Sequence, residues 1–249
     1  MTLAETRDLG DRAPTDVEPA ALIVVTAGIS DPSSTRLLAD RITQKSLDLV
    51  HEAGTPATAD VVELGPLAVD IARATVSGFP GEQLRSVIAR LATADALIAS
   101  TPVYKAGISG LFKSFIDLLD DDLLVSKPVL LAATAGSSRH ALVIDDQMRP
   151  LFAYLRALTL PTSVFAAPED WGATELGGRI ERAATELAVI LDARVGHRIA
   201  DVAWSGYQHQ FAGNATRAAR TTADVDFDSP LMRLATGGTA PPARGTSVN

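Results

Sequence analysis

Continuous apolar runs alternate along this chain with segments in which apolar residues recur every three or four positions. The run at residues 21–27 stops at Gly28, as expected of a strand buried on both faces of a parallel sheet. Residues 35–52 follow with their apolar side chains on one helical face. The same alternation then repeats, so the pattern predicts five strands and five helices. The other predicted strands are 59–64, 94–100, 128–134 and 162–167, and the other predicted helices are 81–93, 109–119, 140–158 and 175–200.

Strands that alternate with helices form a doubly wound α/β domain with right-handed crossovers. Five strands without a sixth favour a flavodoxin-like five-stranded parallel sheet of order 2-1-3-4-5 over a full Rossmann domain. Pro150 lies inside the helix predicted at 140–158, so we expect a kink or a break there. Ligands of such sheets bind outside the carboxyl ends of the strands. Three loops are therefore candidates: residues 28–35, 101–109 and 135–140.

The two ends of the chain differ from this predicted domain, which we place at residues 20–200. Residues 1–19 carry five acidic and two basic residues, and we expect a flexible N-terminal extension. Residues 201–249 form a C-terminal extension whose first part is too apolar for a solvated tail. We expect that part to pack on a neighbouring subunit or over the ligand cleft, and residues 235–249 to stay mobile. The aromatic residues of this apolar first part are Trp204, Tyr207, Phe211 and Phe227.

Composition and charge exclude several classes of protein. The chain has 22 basic and 30 acidic residues, a net charge of −8, and no basic stripe, which argues against a nucleic-acid partner. No apolar run approaches the ~20 residues that span a bilayer, and the N-terminus lacks the pattern of a secretory signal. The absence of Cys excludes disulfides and thiolate chemistry, and the four His residues show no metal-ligand spacing. We expect a soluble, cytoplasmic protein without a metal site or a membrane partner.

The first candidate loop is rich in hydroxyl groups and leads directly into a helix. The unpaired N–H groups at a helix N-terminus favour an anion, and hydroxyl groups add donors without adding charge. The loop therefore suits a phosphomonoester, although the carboxylate of Asp31 would repel one. The alternative interpretation is an ordinary helix N-cap. The hydroxyl residues are Ser30, Ser33, Ser34 and Thr35.

The other two loops also combine small residues with polar ones. In the second, Thr101 and Pro102 precede Tyr104, and Gly107 permits a close approach of backbone. Such a loop can present main-chain groups to a planar ring; the alternative is a strand-to-helix turn capped by the Tyr. The third loop can meet a phosphate or a ring oxygen, or can cap a helix. Its residues are Gly136, Ser137, Ser138, Arg139 and His140.

The three loops together contain no nucleophile paired with a base. The G-x-S-x-G motif of hydrolases is absent from the chain. A shared crevice that binds well but lacks catalytic side chains indicates a cofactor that carries the chemistry itself. We therefore predict no catalytic residue.

The segment S-T-P-V-Y-K-A-G-I-S-G-L-F-K at residues 100–113 resembles the T-P-V-Y-K-x-x-x-S-G-x-x-K signature of the NAD(P)H-dependent FMN reductases. These are flavodoxin-like proteins of alkanesulfonate and methanesulfonate monooxygenase systems. Residues 140–150 are also similar to that family, and the resemblance covers about residues 20–195. The segment V-D-F-D-S-P-L-M-R-L at 225–234 is similar to the C-terminal segment of a subgroup associated with luciferase-like monooxygenases.

The resemblance implies that a hydride passes from NAD(P)H to FMN, and that reduced FMN passes to a luciferase-like flavin-dependent monooxygenase. By position, the four hydroxyl residues of the first loop would hold the FMN phosphate. Pro102, Val103 and Tyr104 would line the isoalloxazine and ribityl groups, with Thr101 at the start of the same segment. The polar edge of the ring would contact Gly136, Ser137 and Ser138, with His140 beside them.

Two positions depart from the family pattern. Asp31-Pro32 stands where relatives often have an Arg. Asp146 stands where the alkanesulfonate-type enzymes have a Tyr that is tied to a π-bulge and to FMN exchange. The resemblance therefore does not extend to the flavin-transfer details of those enzymes.

Two other functions on the same fold remain open, an NAD(P)H quinone or azo reductase and a flavin-binding electron carrier. Hydride transfer needs one open flavin face, and an electron carrier typically encloses its flavin between aromatic residues. Because Tyr104 is the one aromatic residue in the three loops, the sequence favours a reductase.

The helix at 109–119 has more apolar residues than one face needs. This excess indicates self-association, and the resemblance implies a homodimer or homotetramer; the alternative is a helix packed on both sides within the monomer. The residues are Leu111, Phe112, Phe115, Ile116 and Leu119.

Overall fold

The computed structural model describes residues 19–204, which form a sheet with helices on both faces. The predicted N-terminal extension up to residue 18, and the predicted C-terminal extension from residue 205 onward, lie outside the described residues. The strands are β1 (Ala20–Thr26), β2 (Ala57–Glu63), β3 (Ala96–Tyr104), β4 (Gly107–Ile108), β5 (Pro128–Thr134), β6 (Leu158–Thr159) and β7 (Val164–Ala166). The α-helices are α1 (Ser34–Glu52), α2 (Ala68–Ser77), α3 (Glu82–Thr93), α4 (Gly110–Ile116), α5 (Arg149–Tyr154), α6 (Thr174–Asp192) and α7 (Val195–Ile199).

The strand order confirms the predicted flavodoxin-like topology. The order is β2-β1-β3-β5, and two short strands share the last position. β6 pairs with the first residues of β5 and β7 with the last, all in parallel. The fifth predicted strand therefore corresponds to β7, and β6 is an addition.

The continuous apolar runs arise because each central strand is buried on both faces. Ile23 and Val25 of β1 belong to a core that includes α2, α3, α4 and Phe152. Leu22 and Val24, which point to the opposite face, belong to a second core beneath α1 and α6. The alternation of side chains along a strand thus divides one apolar run between two cores.

Two elements that precede β5 in the sequence differ from the prediction. Helix α2 was missed, and it ends at Gly78, whose φ of 77° is left-handed. The prediction that residues 101–107 form a loop was wrong, because β3 continues to Tyr104 and turns back as β4. Pro102 is tolerated near the carboxyl end of β3, where it can still pair in register with Thr134 of β5.

The single helix predicted at 140–158 was also wrong, and the helical turns run without a break through Pro150. A short 3-10 helix, Ser138–His140, is followed by a π-helix, Ile144–Met148, and then by α5. Pro150 is the second residue of α5 and has no N–H to donate to the preceding π-helix, so the helix changes from π to α geometry directly before it. Asp146 lies within the π-helix, so this feature is present here without the Tyr of the alkanesulfonate-type enzymes.

The last predicted helix is interrupted at Arg194, whose φ of 48° ends α6 and redirects the chain into α7. A second π-helix, Ala200–Trp204, follows. The indole ring of Trp204 lies 5.8 Å from the guanidinium carbon of Arg156 in the same protomer. Trp204 thus contacts Arg156 of its own chain, whereas residues 201–203 are exposed. The expected packing of the rest of the C-terminal extension lies outside the described residues.

The apolar residues of α4 and of the turn after it pack in the core of the protomer. Phe112, Phe115, Ile116 and Leu119 are at most 4% exposed, and Leu111 packs against the same core. The structure therefore supports the alternative of a helix packed on both sides, and self-association stays a prediction that this helix no longer supports. Within residues 19–204, no helix is both long and apolar enough to cross a membrane.

Candidate functional site

The structure brings the carboxyl ends of β1, β3 and β5 side by side, and hydrogen bonds join the segments that follow them. The N–H of Ala27 donates to the carbonyl of Ser100, at 3.0 Å. The hydroxyl oxygens of Thr35 and Thr134 lie 2.7 Å apart, and the Ser100 hydroxyl donates to the carbonyl of Thr35 at 3.3 Å. The three segments therefore form one connected surface at this edge of the sheet.

The first segment is a tight loop that caps α1. Ser33 is the N-cap, because its hydroxyl accepts a 3.2 Å hydrogen bond from the N–H of Arg36. A Cβ on Gly28 would lie 2.0 Å from that hydroxyl oxygen, so any larger residue would force the capping hydroxyl of Ser33 to move. The N–H groups of Ser34 and Thr35 begin the helix without intrahelical acceptors, and the first turn has no acidic residue. The capping role and an anion-binding role are thus compatible.

A cleft of about 640 Å³ opens beside this loop. Ser30 and Ser33 line it together with the side chain of Arg36, and the carboxyl end of β2 forms the opposite wall. The guanidinium of Arg36 donates to the carboxylate of Asp40 at 2.7 Å and also to Glu63. The hydrogen bond that Arg36 donates to Asp40, with a contribution from Glu63, raises the pKa of Arg36 above its ordinary value, so the cation that borders the cleft is paired with two carboxylates.

The second segment is a strand end and a hairpin. Pro102 and Val103 are buried, whereas Tyr104 is 49% exposed at the edge of the sheet. Thr101 is fully buried, and its hydroxyl lies 3.2 Å from the hydroxyl of Ser109. The side chain of Thr101 therefore fixes Ser109 at the start of α4. A ligand could contact Thr101 only through its main chain.

The third segment, after β5, is more exposed. The Ser137 hydroxyl caps the 3-10 helix by accepting from the N–H of Arg139 at 3.4 Å, so the capping alternative holds here. The N–H of Ser138 donates to the carboxylate of Glu169 at 3.2 Å. Hydrogen bonds from the backbone N–H of Glu169 itself and from Ser138 lower the pKa of this carboxyl group. Gly136 is exposed, and His140 is half-buried at the end of the 3-10 helix.

Sequence reasoning missed four residues at this edge: Arg36, Glu63, Gln147 and Glu169. Arg36 follows the predicted phosphate loop directly, and Glu63 ends β2, so the rule that ligands bind at strand ends would have found both. Gln147 bonds Ile108, which is 39 residues away in sequence, and Glu169 bonds Ser138, which is 31 residues away. No local sequence pattern indicates such contacts. Among the described residues, no cluster of His, Asp and Glu could hold a metal ion.

The chain matches known proteins over most of this fold. The family model described as NADPH-dependent FMN reductase matches residues 21–172. The NADH-dependent FMN reductase SfnE of Pseudomonas putida is 38% identical over 178 residues, which cover 70% of this chain and 92% of that protein. An FMN reductase (NADPH) of Pseudomonas aeruginosa is 34% identical over 183 residues, 71% of this chain and 95% of that one.

A solved structure is also similar. The X-ray structure of an oxidoreductase from Corynebacterium diphtheriae is 41% identical, with a TM-score of 0.68, and the match covers 72% of this chain and 98% of that one. The family match covers all three segments of the carboxyl edge. The chain therefore belongs to the NADPH-dependent FMN reductase family, as an oxidoreductase that works with FMN and NAD(P)H.

Proposed function

We propose that this protein reduces FMN by hydride transfer from NAD(P)H and supplies the reduced flavin to a partner flavin-dependent monooxygenase. The observation that carries the proposal is the connected edge of the sheet. There, the phosphate-type loop at the start of α1 is hydrogen-bonded through Thr35 to the ends of β3 and β5. One ligand with a phosphate at one end and a ring at the other can contact all three segments.

The residues at this edge fit FMN. The tight turn at Gly28, the free N–H groups at the start of α1 and the neighbouring hydroxyl groups suit a phosphate ester. Ser30, Ser33, Ser34 and Thr35 would hold that phosphate. Arg36 lies beside them, paired with Asp40 and Glu63, and Asp31 lines the same cleft. The segment 101–104 would line the ring and the ribityl chain. The polar edge of the ring would contact Gly136, Ser137, Ser138 and His140.

When bound, FMN supplies the redox chemistry of the site by accepting a hydride from the nicotinamide. The protein's own residues bind the phosphate, orient the ring and leave one ring face accessible. Tyr104 is the one aromatic residue of the three segments, and half of its surface is open to solvent. This arrangement supports access for a nicotinamide ring better than an aromatic enclosure would.

The partner monooxygenase is supported by two features. Residues 100–113 resemble reductases of two-component monooxygenase systems, and several residues that would contact the flavin, such as Ser30, Tyr104 and Ser138, are exposed. An exposed cleft allows reduced FMN to leave for a second protein.

Steady-state oxidation of NADH and NADPH by the purified full chain tests the reductase activity. We expect oxidation that depends on added FMN, and the Gly28→Ala variant should lose most of it because the new Cβ displaces Ser33. Gly177→Ala is the matched control, since a Cβ there meets nothing within 4 Å. Rapid turnover with a quinone or an azo dye in the absence of FMN would favour the alternative function instead.

Transfer of reduced flavin needs a separate experiment. Under anaerobic conditions the protein, FMN and NADH are placed on one side of a dialysis membrane, and cytochrome c, which cannot cross it, on the other. Reduction of cytochrome c beyond that of a control without enzyme shows that reduced FMN leaves the protein. No such reduction, with NADH consumed, would contradict supply to a partner.

A further inference from the structure

Gln147 is an exposed side chain on the π-helix Ile144–Met148, and it makes two hydrogen bonds to a distant hairpin. Its amide nitrogen Nε2 donates to the carbonyl of Ala106 at 3.2 Å. Its amide oxygen Oε1 accepts from the N–H of Ile108 at 3.1 Å. One amide therefore bridges the backbone on both sides of Gly107, where a Cβ would lie only 3.2 Å from Oε1.

The hairpin that Gln147 contacts has a conformation that is unfavourable by itself. Only two residue pairs join its strands, Val103 with Ile108 and Tyr104 with Gly107. The two residues between them, Lys105 and Ala106, have φ values of 51° and 63°. Positive φ at both central residues is typical of a type I′ turn, for which Asn-Gly is favoured and Lys-Ala is not. The N–H of Ser109 donates to Pro102 and Thr101 at the base of the hairpin, and Gln147 supplies the hydrogen bonds on either side of Gly107, next to the turn.

The π-helix is held independently of the hairpin. Ile144 and Met148 are fully buried on either side of Gln147. Arg149, directly after the π-helix, donates to the carbonyl of Leu160 at 2.9 Å and to the carboxylate of Asp145 at 3.0 Å. The backbone of Gln147 is thus anchored to the sheet, and its side chain can fix the hairpin relative to the sheet.

We propose that Gln147 is a positioning residue that holds the hairpin 103–108 in the conformation that receives the flavin ring. The inference rests on the proposed function, because Tyr104, which directly precedes the turn of the hairpin, is a proposed ring contact. Gln147 itself touches the backbone of Ala106 and Ile108 and acts on the flavin only through the hairpin. Without the Gln147 side chain, a smaller fraction of molecules has the hairpin in place. The apparent affinity for FMN falls in proportion to that fraction.

Variants of Gln147 test this inference in the full chain. For Gln147→Leu we expect a dissociation constant for FMN about tenfold higher, the loss expected for one or two hydrogen bonds. KM for FMN should rise in parallel, whereas kcat at saturating FMN should stay near the wild-type value. Gln147→Glu keeps an acceptor for Ile108 but loses the donor to Ala106, so its affinity should be intermediate. Gln83→Leu, the same change on the exposed surface of α3, is the matched control and should leave FMN binding unchanged.

A rescue experiment separates positioning of the hairpin from other effects. Lys105→Asn with Ala106→Gly gives the turn the residues that it favours, so adding both changes to Gln147→Leu should restore most of the affinity for FMN. A wild-type dissociation constant in Gln147→Leu, or a weakened affinity that the turn substitutions do not restore, would overturn the inference. If the wild-type protein itself bound no FMN, the proposed function would fail first, and the two outcomes are therefore distinguishable.

Discussion

The hydroxyl groups of Thr35 and Thr134 form a 2.7 Å hydrogen bond between residues that are 99 positions apart in sequence. Thr35 lies in the first turn of α1, and Thr134 ends β5. Both are at most 4% exposed. The bond fixes the start of α1 over the middle of the sheet, and thereby fixes the N–H groups that we propose for the FMN phosphate.

A double-mutant cycle on this pair measures the bond. Thr35→Val and Thr134→Val each leave one buried hydroxyl without its partner, so each should lower the free energy of unfolding by about 1–2 kcal/mol. The double variant should be more stable than the sum of the two losses predicts, by about 1 kcal/mol. Urea unfolding of the four proteins gives these values, and strictly additive losses would show that the two hydroxyl groups are not coupled.

Gly28 is the residue of the first loop that the geometry constrains most. In Gly28→Ala the new Cβ would lie 2.0 Å from the Ser33 hydroxyl oxygen and 3.0 Å from the Cβ of Thr35. The loop must move and the N-cap is disturbed, so we expect a stability loss of about 1–3 kcal/mol and an affinity for FMN at least tenfold weaker.

The control for this change is Gly177→Ala, on the exposed side of α6. It has open space for the new methyl group and should be neutral or more stable by up to about 1 kcal/mol, because alanine favours a helix. FMN titration and urea unfolding of both variants are the measurements. Wild-type affinity in Gly28→Ala would show that the loop does not hold the phosphate.

The topology could be predicted because its signals are local. Each central strand is a run of apolar residues bounded by small or polar ones, as at residues 128–134, where prediction and structure coincide. The position of the three loops then follows from a general rule for parallel sheets. The rule placed Thr35 and the segment after β5 at one edge, and the structure joins them by hydrogen bonds.

The internal contacts of the site could not be predicted, because they depend on three-dimensional proximity. Thr101 and Pro102 suggested a loop, yet β3 continues because its partner β5 offers a ladder as far as Thr134. Apolar residues recur at helical intervals within 140–158, but periodicity alone does not reveal that the turn from Ile144 to Met148 has π geometry.

The buried amine of Lys127 should make the free energy of unfolding depend on pH. Its ammonium group is buried and donates to the carbonyls of Ala92 and Ala94 at the end of α3. Burial lowers the pKa of Lys127 from 10.5 to about 8, although the nearby Asp95 acts in the opposite direction. Between these two pH values the unfolded chain binds the proton that the folded protein has released, so stability rises with pH across this window.

Lys127→Met removes this contribution and leaves the other titrating groups in place. The free energy of unfolding of the wild type, relative to the variant, should therefore increase by about 3 kcal/mol from pH 8 to pH 10.5. Urea unfolding at several pH values measures this difference. A difference that stays constant with pH would show that the amine is solvated in the folded protein.

Gly196 allows α7 to lie against the amino ends of the strands, at the edge opposite to the proposed flavin site. A Cβ there would lie 2.8 Å from the carbonyl oxygen of Ser126 and 2.9 Å from the Cδ atom of Pro128. Beside it, His197 Nε2 lies 2.5 Å from the carboxylate of Asp95. In Gly196→Ala we expect α7 to detach, because the clash involves backbone and a proline ring that cannot move aside.

Limited trypsin digestion followed by mass spectrometry detects this detachment. Cleavage after Arg194 and Arg198 should be at least several-fold faster in Gly196→Ala than in the wild type, because local opening exposes the backbone to the protease. Gly177→Ala should be cleaved at the wild-type rate. FMN affinity should not change in either variant, since α7 is remote from the three segments at the carboxyl edge. Equal cleavage rates would contradict the close packing at Gly196, and weaker FMN binding in Gly196→Ala would show that α7 supports the flavin site through the sheet.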